Sequence, residues 1–168
     1  NRAGAGGAIG AEAVAKSTPD GLTLLVCAVG FVIAPHLQKV NYDPFKDFAP
    51  ISNLGSNSSI LTVHTSVPVK NLKDFIDYVK ANPGKVNWAS SGIGTGGHLA
   101  IEMFQMRTNS KVVHISFKGA GPALISLMGG DVHLLIAVPG VFLQHIKAGR
   151  IRPLAVGGLQ RLAVLPEV

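Results

Sequence analysis

A glycine-rich loop lies between a predicted strand and a predicted helix in the stretch Lys85–Met106, KVNWASSGIGTGGHLAIEMFQM. The apolar run Val86–Ala89 predicts a buried strand, and the residues from His98 to about Met106 predict a helix. Small hydroxyl and glycine residues at such a junction let backbone N–H groups at a helix N-terminus approach an anion without obstruction by side chains. The stretch therefore predicts an anion-binding loop, and a carboxylate is the anion that we expect.

The composition favours an α/β protein. Hydrophobic residues make up 47% of the 168 residues and charged residues only 14%, which is typical of parallel-rich sheets whose strands are covered on both faces. This length is enough for one domain or for one and a half small lobes. No segment reaches the roughly 18 consecutive apolar residues of a membrane helix, so we expect a chain that does not span a membrane.

The charged residues and the single cysteine exclude several classes of protein. Fifteen Lys and Arg residues and nine Asp and Glu residues give a net charge of +6, but the basic residues are scattered and few aromatic residues lie between them. We therefore expect no nucleic-acid partner. One cysteine, Cys27, excludes an internal disulfide and a cysteine-based metal cluster, and its apolar neighbours predict a buried thiol.

The clearest predicted helix follows Asn71. Asn71 is a good N-cap residue with Asp74 three positions later, and a stop signal follows at 82–84, Asn-Pro-Gly. Leu72, Phe75, Ile76 and Val79 have the i, i+3, i+4, i+7 spacing of one apolar helix face.

Other strands and helices are predicted to alternate along the chain. The predicted strands lie at 22–28, 60–64, 111–117, 131–138 and 151–157, and the other helices run to about Lys16, from Pro122 to Gly129-Gly130 and over 141–148. We interpret Val29–Pro35 as a loop. The alternation after the helix at Asn71 predicts a parallel sheet with right-handed crossovers, whose ligands lie at the carboxyl ends of the strands.

The glycine loop partly matches one of two common nucleotide-binding motifs. Gly92-x-Gly94-x-x-Gly97 has the dinucleotide-binding spacing, but the next strand ends in His114–Lys118 without the acidic residue that would bind a ribose. A P-loop would need a Gly-Lys-Ser/Thr sequence, which is missing. A nucleotide-dependent enzyme domain remains the alternative function, and we expect no cofactor.

We expect neither catalysis nor a metal site. The histidines at 36, 64, 98, 114, 133 and 145 lack a metal-ligand spacing, and Ser90 and Ser91 lack the GxSxG context of a nucleophile. Two other residues have two open interpretations each. His98 either contacts a ligand or caps and packs against the loop, and Lys118, with Gly119 beside it, either contacts an anion or is solvated.

Taken together, several short motifs resemble one family, the periplasmic solute-binding receptors of tripartite tricarboxylate transporters, also called the Bug family. Their order along all 168 residues is more specific than any one of them. They are NRAGAGGAIG at 1–10, PDGLTLL at 19–25, YDP at 42–44, DFAP at 47–50, VNWASSG at 86–92, HLA at 98–100, FKG at 117–119, PAL at 122–124 and HIKAG at 145–149.

The resemblance implies a type II periplasmic-binding-protein-like fold, with two α/β lobes that close on a small carboxylate. Typical ligands of the family are tri- or dicarboxylates, acidic amino acids, nicotinate-like compounds and aromatic acids, held by backbone N–H groups, small hydroxyls and waters. The implied ligand-binding residues are Ser91, Gly92, Thr95, Gly96, His98, Lys118 and Gly119 of the second lobe and Ala28, Val29, Gly30 and Phe31 of the first lobe.

The same resemblance implies a periplasmic receptor that delivers its ligand to membrane permease subunits and is monomeric when full length. A sensor or interaction module on the same fold remains an alternative. We expect a piece of a longer protein without its signal peptide: part of lobe I over residues 1–61, lobe II over 62–155, and a return crossover toward lobe I over 156–168.

Two departures from the family pattern concern the ligand. Relatives often have an acidic residue where this chain has the apolar run Leu134–Val138, which favours a plain carboxylate over an amino acid. Ala34-Pro35 stands where Asn-Pro is common.

Overall fold

The computed structural model describes residues 4–56 and 58–168, so the first three residues of the NRAGAGGAIG motif and Asn57 lie outside the described part. After a 3-10 turn at Ala5–Gly7, the elements in chain order are α1 (Ala8–Ala15), α2 (Gly30–Leu37), β1 (Ile60–His64), α3 (Leu72–Ala81), β2 (Asn87–Ser90), α4 (Gly96–Thr108), β3 (Val113–Ser116), α5 (Ala120–Gly129), β4 (Leu134–Ala137), α6 (Pro139–Lys147) and β5 (Ile151–Val156).

The five strands form one mixed sheet in the order β3-β2-β4-β1-β5. β2 is parallel to β3 and β4, as predicted, whereas β1 is antiparallel to both β4 and β5. The strands that follow α3, β2 to β5, therefore all run in the same direction, as the alternation after Asn71 predicted, and the sheet is parallel-rich; β1, which precedes α3, runs the opposite way. Parallel and antiparallel ladders both satisfy the backbone N–H and C=O groups, so the alternation of elements does not fix the direction of β1.

Helices cover both faces of the sheet. Trp88 and Leu134 point to one face, where they pack with Phe75 of α3 and Ile101 of α4. Their sequence neighbours point to the other face and pack against α5 and α6 in a cluster that includes Ala89, Leu135, Leu127 and Phe142. Burial on both faces explains why the strands are continuous apolar runs.

The N-cap of α3 is confirmed. The Asn71 side chain accepts a hydrogen bond from the Asp74 backbone N–H at 2.9 Å, and the Asp74 carboxylate accepts one from the Lys70 N–H at 3.1 Å. Phe75 and Val79 of the predicted apolar face are fully buried.

The predicted buried strand at 22–28 is wrong. These residues form no strand, and Leu22 and Val26 are 85% and 78% exposed. Cys27, predicted to be buried, is exposed as well. An apolar run becomes a buried strand only where a neighbouring strand pairs with its backbone, and no strand of the described residues pairs with this run.

The predicted loop Val29–Pro35 is also wrong, because α2 begins at Gly30 and contains Pro35. Proline lacks the N–H that would bond to the carbonyl four residues earlier, which is that of Phe31. The Tyr42 hydroxyl donates a hydrogen bond to this carbonyl at 2.9 Å. Pro35 is tolerated because a side chain replaces the missing backbone donor.

The N-terminal segment, residues 4–48, has its own small core. Tyr42 is stacked on Phe31, Phe48 packs edge-on against both rings, and Ala11 and Ala34 are buried beneath them. The sheet with its two clusters begins at Ile60 and extends to Val156. The division into lobes at 61/62 and 155/156 stays a prediction.

None of the helices in the described residues combines the length and apolarity needed to cross a membrane. The longest, α4, has 13 residues.

We predict that Asn71→Ala lowers the free energy of unfolding by about 1 kcal/mol, because the Asp74 N–H loses its acceptor. Urea denaturation followed by circular dichroism measures this change. Asn71→Ser, which keeps a side-chain acceptor, is the control and should lose much less. Equal losses in both variants would show that the cap does not stabilise α3.

Candidate functional site

The strand ends place the candidate site at one edge of the sheet. The carboxyl ends of β2 (Ser90), β3 (Ser116) and β4 (Ala137) meet there because these strands are parallel, and the antiparallel β1 begins there at Ile60. Loops at this edge are where ligands of parallel α/β sheets bind.

A cleft of about 1120 Å³, the larger cleft, separates this edge from the N-terminal segment. The sheet side contributes Ser56, Ser59, Ser91, Thr95, Gly96, Gly97, Ala120, Ile136, Ala137 and Val138, and the N-terminal side contributes residues of the 3-10 turn and α1 and the run Leu24–Phe31. The predicted residues Ala28, Val29, Gly30 and Phe31 therefore face Ser91, Thr95 and Gly96 across one cleft.

A second space of about 520 Å³, the smaller cleft, lies beside the larger one. It is lined by Ser91, Gly92 and Thr95, by the residues that follow β3, which include Lys118 and Gly119, and by the 3-10 turn. Ser91 and Thr95 line both clefts and so lie at their junction.

Five α-helices begin at these clefts within the described residues. Gly7 precedes α1, Gly30 begins α2, and Thr95, Gly119 and Val138 are the N-caps of α4, α5 and α6; each of them lines at least one cleft. Each helix N-terminus carries about half a positive elementary charge. Among the described residues no charged side chain lines the larger cleft, and Lys118, which is exposed, is the charged residue at the smaller cleft. The positive potential of the larger cleft thus comes from backbone dipoles.

The glycine loop, Ser91–Thr95 between β2 and α4, is packed against the N-terminal segment. A Cβ atom at Gly6 would lie 2.5 Å from the Ile93 carbonyl oxygen, and one at Gly30 would lie 3.2 Å from the carbonyl oxygens of Gly6 and Gly94. Three backbones therefore cross here at distances that side chains do not allow.

Hydrogen bonds within the loop determine which N–H groups are available to a ligand. The Gly92 N–H donates to Ser90 Oγ at 3.3 Å and the Gly94 N–H to His98 Nδ1 at 3.2 Å. Gly96 and Gly97, in the first turn of α4, have no helical acceptor for their N–H groups, and both line the larger cleft. The N–H groups of Gly96 and Gly97, rather than those of Gly92 and Gly94, are therefore available to a ligand in the larger cleft.

His98 lies behind the glycine loop rather than in the described lining of either cleft. Its ring stacks on that of His114, with centroids 4.5 Å apart, and its Nε2 is 3.9 Å from Glu102 Oε1. This arrangement matches the packed interpretation of His98, and direct ligand contact stays a prediction.

The loops after β2 and β3 are tied together. Gly119 N–H donates to the Ser91 carbonyl at 3.1 Å, and Phe117 N–H donates to the Ser90 carbonyl at 2.9 Å. Lys118 lies between these two bonds, which fix its backbone beside the smaller cleft while its side chain is exposed.

Several residues that line the larger cleft were not predicted from the sequence. Gly97, Ala120 and Val138 are at helix N-termini, and Ser56 and Ser59 belong to the small polar run before β1. Two features of the sequence could have indicated these positions: glycines at the start of predicted helices, and the serines that precede the predicted strand at 60–64.

The geometry does not favour the nucleotide-dependent enzyme. Gly94 packs against Leu37 and Ala34 of α2, and Gly92 packs against Gly6, so protein atoms occupy the space along the motif that a pyrophosphate would need. Ser90 contacts His114 Nε2 through its Oγ at 2.6 Å but is completely buried, so this pair cannot reach a substrate. No group of three or more possible metal ligands occurs among the described residues.

We predict that Gly30→Ala destabilises the protein by about 1–3 kcal/mol, since the added Cβ would press on two carbonyl oxygens. Gly140→Ala, near the start of α6 with nothing within 4 Å of its Cβ position, is the matched control and should be neutral or stabilising. Thermal unfolding of both variants tests this. Equal stability would mean that the crossing of the three backbones tolerates a side chain.

Known proteins are similar to this chain over nearly all of its length. The family model described as "Tripartite tricarboxylate transporter family receptor" matches residues 1–168. Protein BugT of Bordetella pertussis (strain Tohama I) is 37% identical over all of this chain and over 52% of its own length.

Two solved structures are similar to the chain as well. Rpa4515 of R. palustris with adipate superposes with a TM-score of 0.91 at 34% identity, over 96% of this chain and 55% of its own. MatC from Rhodopseudomonas palustris with bound malate gives a TM-score of 0.90 at 29% identity, over 98% of this chain and 57% of its own.

The chain thus spans about half the length of the curated relatives that it matches. The match of the family model covers every residue, and the matched structures have the same α/β architecture over nearly the whole chain. The chain belongs to the tripartite tricarboxylate transporter receptor family, the Bug proteins, whose members are solute-binding receptors.

Proposed function

We propose that this chain is part of a periplasmic receptor that captures a small organic carboxylate and delivers it to the membrane permease subunits of a tripartite tricarboxylate transporter. The observation that carries this proposal is the convergence of five helix N-termini on clefts with almost no charged side chains. The family match supports the receptor role, the location and the permease partner.

A carboxylate suits the larger cleft because its oxygens accept hydrogen bonds from the first-turn N–H groups of α4. Each favourable charge–dipole interaction of this kind contributes about 0.3–1 kcal/mol, so several helices acting together are needed. The related structures contain adipate and malate, which both carry two carboxylate groups.

Both sides of the cleft contribute to the proposed site. Ser91, Thr95 and Gly96 lie on the sheet side, and the run Ala28–Phe31 lies on the opposite side. Lys118 is the second anion contact at the smaller cleft, beside Gly119, whose own N–H is bonded to the Ser91 carbonyl. A ligand with two acidic groups could therefore place one at α4 and the other near Lys118.

We infer that the ligand is a plain carboxylate rather than an amino acid. An ammonium group needs an acidic partner when it is desolvated. Among the described residues neither cleft has an Asp or Glu side chain in its lining.

The test is a thermal-shift screen of the full-length protein with di- and tricarboxylates, acidic amino acids, aromatic acids, NAD and ATP. A carboxylate at 100 times its Kd should stabilise the folded protein by about 2.7 kcal/mol. Stabilisation by NAD or ATP alone would contradict the receptor and support the enzyme.

We predict that Gly96→Leu weakens binding of the selected carboxylate about tenfold or more, because the side chain covers first-turn N–H groups of α4. A Cβ at this position meets nothing closer than Val29 Cγ1 at 3.7 Å, so the fold should be retained. Isothermal titration calorimetry measures the affinity. Lys80→Leu on α3, whose helix does not line a cleft, is the control. Wild-type affinity in a folded Gly96→Leu variant would argue against the assigned N–H groups.

A further inference from the structure

His98 and His114 form a pair beneath the glycine loop. Their rings are nearly parallel, with an interplanar angle of 17° and centroids 4.5 Å apart. His98 is in the first turn of α4, and His114 is in β3, the edge strand beside β2. The pair thus connects α4 with the edge strand β3 directly behind the candidate site.

Each ring holds one part of the loop. His98 Nδ1 accepts the Gly94 N–H at 3.2 Å. His114 Nε2 is 2.6 Å from Ser90 Oγ, which in turn accepts the Gly92 N–H at 3.3 Å. The Gly94 N–H therefore depends on the His98 ring, whereas the Gly92 backbone is held by Ser90 Oγ, which also donates to the Gly92 carbonyl at 3.2 Å and is positioned by its contact with the His114 ring.

The bond from Gly94 requires a neutral His98. Nδ1 can accept a hydrogen bond only while it carries no proton, which places the ring proton on Nε2, facing Glu102 at 3.9 Å. Protonation of Nδ1 would set two N–H donors against each other and remove the hydrogen bond.

The groups around His114 on balance oppose its protonation. Burial lowers the pKa of His114 below its ordinary value of 6.5, nearby His98 lowers it further, and Glu102 acts in the opposite direction. Glu102 on α4 is the acidic group that faces the rings, and the described contacts from β2 and the loop come from Ser90 and backbone atoms. Two protonated rings in this stack would repel each other.

A movement of the glycine loop would displace the N-terminus of α4 through Thr95. Thr95 Oγ1 donates to the Gly92 carbonyl at 2.7 Å, and Thr95 is the N-cap of α4. Gly94 also contacts the N-terminal segment at Gly30. A displaced Gly92–Gly94 backbone would therefore shift both the α4 N-terminus and the opposite wall of the cleft.

We propose that His98 and His114 are positioning residues that hold the glycine loop in its ligand-binding arrangement while both rings are neutral, and that their protonation in acid loosens the loop and weakens carboxylate binding. This inference rests on the proposed function for its ligand. It adds pH control to a site whose described lining in the larger cleft has no carboxylate, histidine, lysine or arginine side chain.

The pH dependence has a defined sign. Because the His114 pKa is lowered in the folded protein, the unfolded chain binds more protons below pH 6.5. The contribution of His114 to stability is complete above this value and is lost as the pH falls from 6.5 through the folded-state pKa. Ligand affinity should fall in the same direction.

The test compares two substitutions of His98 in the full-length protein, with malate and adipate as probes. His98→Leu removes the acceptor for Gly94 and should weaken binding about tenfold at pH 7.5. His98→Asn keeps an acceptor that does not titrate, so it should rescue most of this loss and reduce the fall in affinity between pH 7.5 and 5.5. Titration of the ligand itself is the same for wild type and variants, so their difference isolates the protein.

NMR of the ligand-free protein provides a readout independent of binding. The Gly92 and Gly94 amide resonances should follow the titration of the two histidine rings in wild type, and the Gly94 amide should stop doing so in His98→Asn. Amides that do not respond to pH, or His98→Leu binding the probes like wild type, would overturn the inference. Failure of both probes to bind wild type counts against the proposed function, and the amide titration then decides the inference alone.

Discussion

The close approach of three backbones at Gly6, Gly30 and Gly94 determines the rest of this structure. Carbonyl oxygens at these crossings lie where a side chain would otherwise be, so the N-terminal segment can pack directly on the glycine loop. This contact sets the distance between the walls of the larger cleft. The glycines that resemble a phosphate-binding motif therefore act mainly in packing, and the helix N-termini around them line the clefts.

A site built from dipoles has different requirements from a site built on arginine or lysine. A long cationic side chain can follow a ligand, whereas a helix N-terminus is as precise as the backbone that holds it. Because each helix N-terminus contributes only about 0.3–1 kcal/mol to the binding of an anion, several helices must be oriented toward the ligand at the same time. Hydrogen bonds such as Thr95 Oγ1 to the Gly92 carbonyl and Gly119 N–H to the Ser91 carbonyl provide that precision.

The sequence correctly predicted those structural features that depend only on residues nearby in the chain. The cap at Asn71 and the junction from β2 to α4 need only short-range chemistry, and the structure contains both. The direction of β1, the exposed state of residues 22–28 and the helical course through Pro35 depend on partners far away in the chain. The hydroxyl of Tyr42 that replaces the donor missing at Pro35 has no signature in a local window.

The candidate site shows the same division. The loop sequence placed Ser91, Thr95 and Gly96 at a helix N-terminus and the family resemblance placed Val29 and Gly30 in the other lobe, but neither predicted which N–H groups would already be bonded. The Gly92 N–H is bonded to Ser90 and the Gly94 N–H to His98, and β3 adds His114, which lies beside Ser90 Oγ and stacks on the His98 ring. The contact of the loop with His114 thus depends on strand pairing, whereas the hydrogen bonds of Gly92 and Gly94 are local to the loop and to the first turn of α4.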